Sequence, residues 1–116
     1  METTAVESLS VARDFSTSPG PRYISEGDFS GELFRRDVLG PCVKKALDED
    51  HMLTVDLDGT AGYGTSFLEE AFGGLIRVDG FALNELRTHI KIKSDEEPYL
   101  IEDIWNYMED AENENK

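Results

Sequence analysis

Thr65 and Ser66 are two hydroxyls at the end of a glycine-rich stretch, Asp58-Gly59-Thr60-Ala61-Gly62-Tyr63-Gly64, where the chain concentrates groups able to handle a phosphate. A serine or threonine at a helix start can accept a phosphoryl group, because the free amides and the positive dipole end there tolerate its charge. Gly59, Gly62 and Gly64 let the backbone approach an anion closely, so a bound nucleotide phosphate is the other occupant that the pattern admits. No Gly-Lys-Ser/Thr follows, so the lysine of a P-loop is missing. The same residues have plain structural uses. Ser66 and Glu69 make the Ser-x-x-Glu of a capping box, which places the helix start at Ser66 and stabilises by about 1 kcal/mol without any function. Loop glycines satisfy turn geometry, and Tyr63 is either open to a partner or folded over the strand ends. A phosphate on Thr65 or Ser66 would meet Asp58, Glu69 and Glu70, and their repulsion is the physical basis of an off-switch.

Other chemistry has less to stand on. Asp56 and Asp58 lie two apart on a strand and share a face, the placement of an acid–base pair, but Asp58-Gly59 is equally a turn and Asp56 a partner for neighbouring amides. His51 and His89 have no Cys/His ligand set and no nucleophile elbow near them in sequence. Cys42, amid Val38, Val43 and Ala46, has the setting of a small core residue. No catalytic residue, metal or cofactor is expected.

The elements that must position this turn follow from hydrophobic period. Met52, Leu53, Val55 and Leu57 form a buried strand before it, and Phe67, Leu68, Ala71, Phe72, Leu75 and Ile76 form one face of an amphipathic helix after it. Gly73-Gly74 inside that helix costs about 1 kcal/mol per glycine, which close packing must offset. Gly73 shares a side with Ser66, Glu69, Glu70 and Arg77, and this small-and-charged face is the expected docking surface. Upstream, Leu9, Val11 and Phe15 predict a strand over 8–15, Thr17-Ser18-Pro19-Gly20-Pro21 a turn, and residues 22–25 a returning strand. Ser30 caps a helix marked by Leu33, Phe34, Val38, Val43, Ala46 and Leu47, which Gly40-Pro41 kinks or divides. Downstream, 81–87 is a connector with room for a helical turn. Thr88–Ser94 alternates as a strand with Ile90 and Ile92 inward. Ser94 or Asp95 caps a last helix with Pro98 in its first turn and Leu100, Ile101, Ile104, Tyr107, Met108 and Ala111 as its buried stripe.

The predicted order is ββαβαβα: one α/β domain over 1–116, a small mixed sheet of about four strands covered by about three helices, with 1–7 and 112–116 flexible. In such sheets ligands and partners meet the carboxyl ends of the strands, where 58–65 lies. The 25 acidic against 11 basic side chains give a net charge of −14, which repels phosphate backbones and anionic lipid, so neither nucleic acid nor a membrane is the expected partner. That acidity serves solubility or high salt, or else a functional acidic surface, including one that imitates nucleic acid. A single cysteine and the lack of an apolar leader point to the cytoplasm.

Thr65-Ser66-Phe67-Leu68-Glu69-Glu70, Ser30-Gly31-Glu32-Leu33-Phe34-Arg35 and Arg22 after the Gly-Pro turn together resemble the STAS-like domains of prokaryotes and their phages (DUF4325), over roughly residues 8–93. Those domains are distantly similar to the anti-sigma-factor antagonists, which dock a serine-kinase-type ATPase and are phosphorylated where the helix after the central strand begins. The resemblance implies an acceptor at Thr65 with Ser66 beside it. Antagonists usually carry an aspartate before the acceptor and a glycine two residues after it, where this chain has Gly64 and Phe67. The expectation is a non-enzymatic regulatory module that docks a partner, in the implied case a histidine-kinase-like, anti-sigma-type ATPase, through Asp58, Gly59, Tyr63 and Gly64 and the helix face of Glu69, Glu70, Gly73 and Arg77. The alternative is a small-ligand or nucleotide sensor that uses the Gly-rich turn.

Overall fold

The computed structural model describes residues 6–114. Three strands, β1 (Val6–Ser10), β2 (Met52–Asp56) and β3 (Ile90–Lys93), form the sheet among these residues, in the order β1-β2-β3 and all parallel. Each strand returns to the next through helices, which makes the sheet parallel where a mixed one was expected. The register brings Leu9, Val55 and Ile92 level across the sheet, all buried.

The predicted N-terminal hairpin is not formed. Strand β1 ends at Ser10 and the chain turns at once into α1 (Val11–Asp14), closed by reciprocal caps: Arg13 N–H donates to Ser10 Oγ (3.1 Å) and Ser10 N–H to Asp14 Oδ2 (2.9 Å). The four-residue step from Val11 to Phe15, read as alternation, is a helical turn. Residues 22–25 form no strand because their amides have other acceptors: Tyr23 N–H donates to Glu26 Oε1 (3.0 Å) and Ile24 N–H to Glu32 Oε1 (2.8 Å), with a 3-10 turn over Ile24–Glu26. The carbonyls of Pro21 and Arg22 accept from Gly31 and Glu32 and so cover the next helix start.

That helix runs unbroken from 31 to 49, as α2 (Gly31–Phe34), a π-turn (Arg35–Leu39) and α3 (Gly40–Glu49), with Ser30 Oγ accepting from Leu33 N–H as expected. The π-turn removes the anticipated kink. It lengthens the loop to i→i−5, Gly40 N–H bonding to Arg35 C=O, and Pro41 then falls in the first turn of α3, where a missing N–H does no harm. The helix after β2 has the same build: α4 (Thr65–Leu68), a π-turn (Glu69–Gly73) and α5 (Gly74–Arg77). These two helices pack closely. A Cβ at Gly31 would overlap the carbonyl of Phe67, and one at Gly74 would overlap the Arg35 guanidinium.

Helix α6 (Leu83–His89) takes two residues from the last predicted strand, because Thr88 Oγ1 and His89 Nδ1 bond back to the Glu85 carbonyl. Helix α7 (Tyr99–Glu114) buries Leu100, Ile104, Met108 and Ala111 against the Glu69–Gly73 turn and α5. Ser94 does not cap it; its hydroxyl donates to the Glu97 carbonyl (2.8 Å). Residues 6–7 and 112–114, expected to be flexible, belong to β1 and α7, while 1–5 and 115–116 lie outside the described residues. No helix among the described residues is long and apolar enough to cross a membrane. Phe34, Phe67, Phe72, Leu39 and Val43 centre the core, and Cys42 packs on its edge.

Candidate functional site

The loop after β2 stands at the carboxyl ends of the strands and is held by its own side chains. Asp56 Oδ1 accepts from Asp58 N–H (2.9 Å), the turn use of that pair. Asp58 accepts from Glu96 N–H (2.9 Å), Asp95 N–H (3.0 Å) and Lys93 Nζ (3.0 Å), which hold its carboxyl below the usual carboxylate range. Gly59, in the left-handed region at φ 93°, donates its N–H to Glu96 Oε1 (3.0 Å), and Gly62 N–H donates to Thr60 Oγ1 (3.2 Å). Two of the amides that would cradle an anion are therefore already engaged, one of them by a carboxylate. Tyr63 is folded over the strand end: its hydroxyl donates to the Leu57 carbonyl (2.7 Å), its ring packs on Phe67, and burial pushes its pKa up to about 12.

Thr65 and Ser66 take different positions from those expected. Gly64, extended at φ −79° and ψ 149°, is the cap, so the helix starts at Thr65 and Ser66 is its second residue. No Ser66–Glu69 box forms, because Glu69 is bound elsewhere. Thr65 is exposed and its hydroxyl bonds to no other described residue, whereas Ser66 is half-buried.

The helix face of Glu69, Glu70, Gly73 and Arg77 is not open. Glu70 is 5 % exposed and pairs with Arg35, whose Nη1 also donates to the Glu70 carbonyl (2.9 Å). Glu69 accepts both guanidinium nitrogens of Arg77 (2.8 and 3.1 Å) and pairs with Arg22. Burial pushes the Glu69 carboxyl up, but its bonds to Arg77 and Arg22 outweigh that and the net shift is downward. Arg22 and Arg77 stand 3.7 and 3.6 Å from Glu70 Oε1, Arg35 Nε 3.6 Å from Asp79, and Arg77 Nη1 3.9 Å from the exposed Glu114, so three arginines link Glu69, Glu70, Asp79 and, at the rim, Glu114 in one network. Gly73 is buried, and a Cβ there would stand 2.8 Å from Glu69 Oε2, so it leaves room for the carboxylate. Asp58, Gly59, Tyr63 and Gly64 thus cluster at the strand ends, and Glu69, Glu70, Gly73 and Arg77 form a separate, largely covered charge network.

Sequence reasoning missed the partners of these groups: Arg35, Lys93 and Glu96. Each lies some 35 residues or more from the carboxylate or amide it meets, and no local spacing announces such pairs. Glu7, Glu49 and His51 are the group among the described residues whose donor atoms converge, within 4.8 Å of one another. Glu7 already meets Lys45 Nζ at 3.3 Å, so the cluster has a resident cation.

The aromatic residues supply what the charge network does not. Phe34 and Phe67 stack in the core, Phe15 touches both, and Phe29 meets Phe15 edge-on at 5.7 Å while 45 % exposed. Tyr23 and Ile24 are also exposed, so residues 23–29 present three large apolar side chains to solvent, next to Arg22, which pairs with Glu69. Phe29 sits at φ 57°, a strained conformation for an aromatic residue.

Comparison with known families matches residues 30–100 to a model described as a STAS-like domain of unknown function (DUF4325). No curated protein and no solved structure matches the chain.

Proposed function

This chain belongs to the family of STAS-like domains of unknown function (DUF4325), and from that premise we propose that it is a non-enzymatic cytoplasmic regulatory module that docks a partner protein. The docking surface is the loop 58–65 with exposed Thr65, extended by the apolar patch of Tyr23, Ile24 and Phe29. The observation that carries this reading is the exposure of three large apolar side chains within seven residues, each at least 40 % exposed, with Phe29 packed on Phe15 just after β1. The partner class is the histidine-kinase-like ATPase that the resemblance to anti-sigma-factor antagonists implies. Thr65 is the acceptor of choice: the γ-phosphoryl group of ATP would pass to Thr65 Oγ1, which loses its proton, and ADP would leave. A nucleotide-sensing role for the turn gains no support from amides that already donate to Glu96 and Thr60.

Titration with a purified histidine-kinase-like ATPase from the same organism tests the reading. Tyr23→Ser with Ile24→Ser removes exposed anchors, and the expected result is affinity weakened about tenfold or more at an unchanged melting temperature. Thr65→Glu is expected to weaken it as well. Unchanged affinity in both variants overturns the proposed surface. Intact-mass measurement after incubation with ATP and the ATPase is expected to show one added phosphoryl group, absent from Thr65→Val.

A further inference from the structure

Of the 11 basic side chains in this chain of net charge −14, three, Arg35, Arg36 and Lys44, line one cavity of about 400 Å³. Gly40, Pro41, Asp79 and Phe81 complete its walls. The volume lies within the range of small-molecule sites, and no lining residue belongs to the loop 58–65 or to the patch over 23–29.

The π-turn builds this cavity. Its five-residue step places the Arg35 carbonyl over Gly40, while Arg36, Gly40 and Lys44 follow one another at helical spacing, so three basic residues line a cavity whose floor is a residue without a side chain. A Cβ at Gly40 would stand 2.7 Å from the Arg35 carbonyl and 3.2 Å from Asp79 Oδ2. Arg35 is 5 % exposed; its Nη1 is held by Glu70, but its Nε has no hydrogen-bond acceptor and stands 3.6 Å from Asp79 Oδ2. Arg36 and Lys44 pair with Asp37 and Asp48, but all four side chains are half or more exposed. Such exposed pairs are weak and exchange readily for an anion held by several cations at once. Pro41 and Phe81 add an apolar wall beside these charges.

We propose that this cavity binds a small organic oxyanion, its carboxylate or phosphate head between Arg36 and Lys44 over the Arg35 guanidinium and its flat apolar body against Pro41 and Phe81. Calorimetric titration of the whole chain at low ionic strength with phenyl phosphate, benzoate and inorganic phosphate tests this. Saturable one-to-one binding of at least one aryl anion is expected, about tenfold or more tighter than inorganic phosphate because the ring is buried. The two aryl probes distinguish a phosphate from a carboxylate ligand. Arg36→Gln with Lys44→Gln is expected to weaken the aryl anion about tenfold or more. The unliganded variant should melt as the parent does, since both side chains are exposed. Lys91→Gln removes the same kind of charge from β3, outside the cavity, and should leave binding intact. Absence of saturation with both aryl anions overturns the proposal, as does an equal loss in Lys91→Gln or inorganic phosphate binding as tightly as the aryl probes. None of these results bears on partner docking, which uses other residues.

Discussion

Arg35 and Glu70 are both about 95 % buried, so their charges have left water and depend on each other. Removing one partner leaves the other uncompensated: Glu70→Ala or Arg35→Ala is expected to destabilise by about 3–5 kcal/mol in urea unfolding. Replacing both with methionine should recover most of that loss; no recovery in the double variant would mean that Arg22, Arg77 and Asp79 hold the two sites independently. Ser66→Ala tests the corrected helix start. A cap loss would destabilise by about 1 kcal/mol, but with Gly64 as the cap the change should stay within about 0.5 kcal/mol. The Ser-x-x-Glu pattern pointed to the wrong residue because it is silent about Arg22 and Arg77, which hold Glu69 from 47 and 8 residues away. His89 adds a pH dependence: its bond to Asp50 (2.8 Å), then that to the Glu85 carbonyl, raise its pKa above the usual 6.5. A raised folded pKa stabilises below the unfolded value, and that stabilisation disappears as pH rises through the folded one. Urea midpoints of the parent should therefore fall towards those of Asp50→Asn from about pH 6.5 upward.

Helix propensity and packing predict opposite outcomes at Gly74. Alanine is favoured over glycine in a helix interior by about 1 kcal/mol, yet a Cβ at this position overlaps the buried Arg35 guanidinium, whose pair with Glu70 opposes its displacement. Gly74→Ala is expected to lower the melting temperature, and a rise would show that Arg35 can move without loss. The adjacent Gly73-Gly74 pair was readable in sequence as a sign of close approach. What approaches was not, since Arg35 reaches Gly74 from the other helix. The two π-turns were also hidden. A π-turn shifts the apolar pattern by one residue, a change too small to separate from an ordinary helix with irregular spacing, and Gly40-Pro41 pointed to a kink instead. The central strand and both flanking helices were legible because their apolar faces run for several repeats. The N-terminal strand and helical turn were not, because Leu9, Val11 and Phe15 are only three points and fit the strand of a hairpin equally well.

Across the whole molecule, 41 × 35 × 25 Å in extent, a charge of −14 is never far from itself. Parallel strands joined by helices place the carboxyl ends of β1, β2 and β3 together, and acidic residues at or just after those ends gather there: Asp14, Asp56, Asp58, Asp95 and Glu96. Two basic side chains are bonded into this group: Lys93, 3.0 Å from both Asp58 and Asp95, and Arg13, 2.8 Å from Asp14. The position of this end followed from strand and helix order; the local excess of acid over base there needed the register that brings Lys93 opposite Asp56. At an ionic strength of about 0.01 M the screening length is about 30 Å, comparable to the molecule, so every acidic group opposes every other. At about 0.15 M it falls to about 8 Å and only neighbours interact, which retains the close ion pairs while suppressing the long-range repulsion. Urea midpoints should therefore rise as sodium chloride is added over this interval. The buried Arg35–Glu70 pair, shielded from the salt, should contribute equally at both ends, so the Glu70→Ala loss stays constant while the baseline climbs. A midpoint that falls with salt would show that exposed pairs such as Lys44–Asp48 and Arg87–Glu109 outweigh the net repulsion.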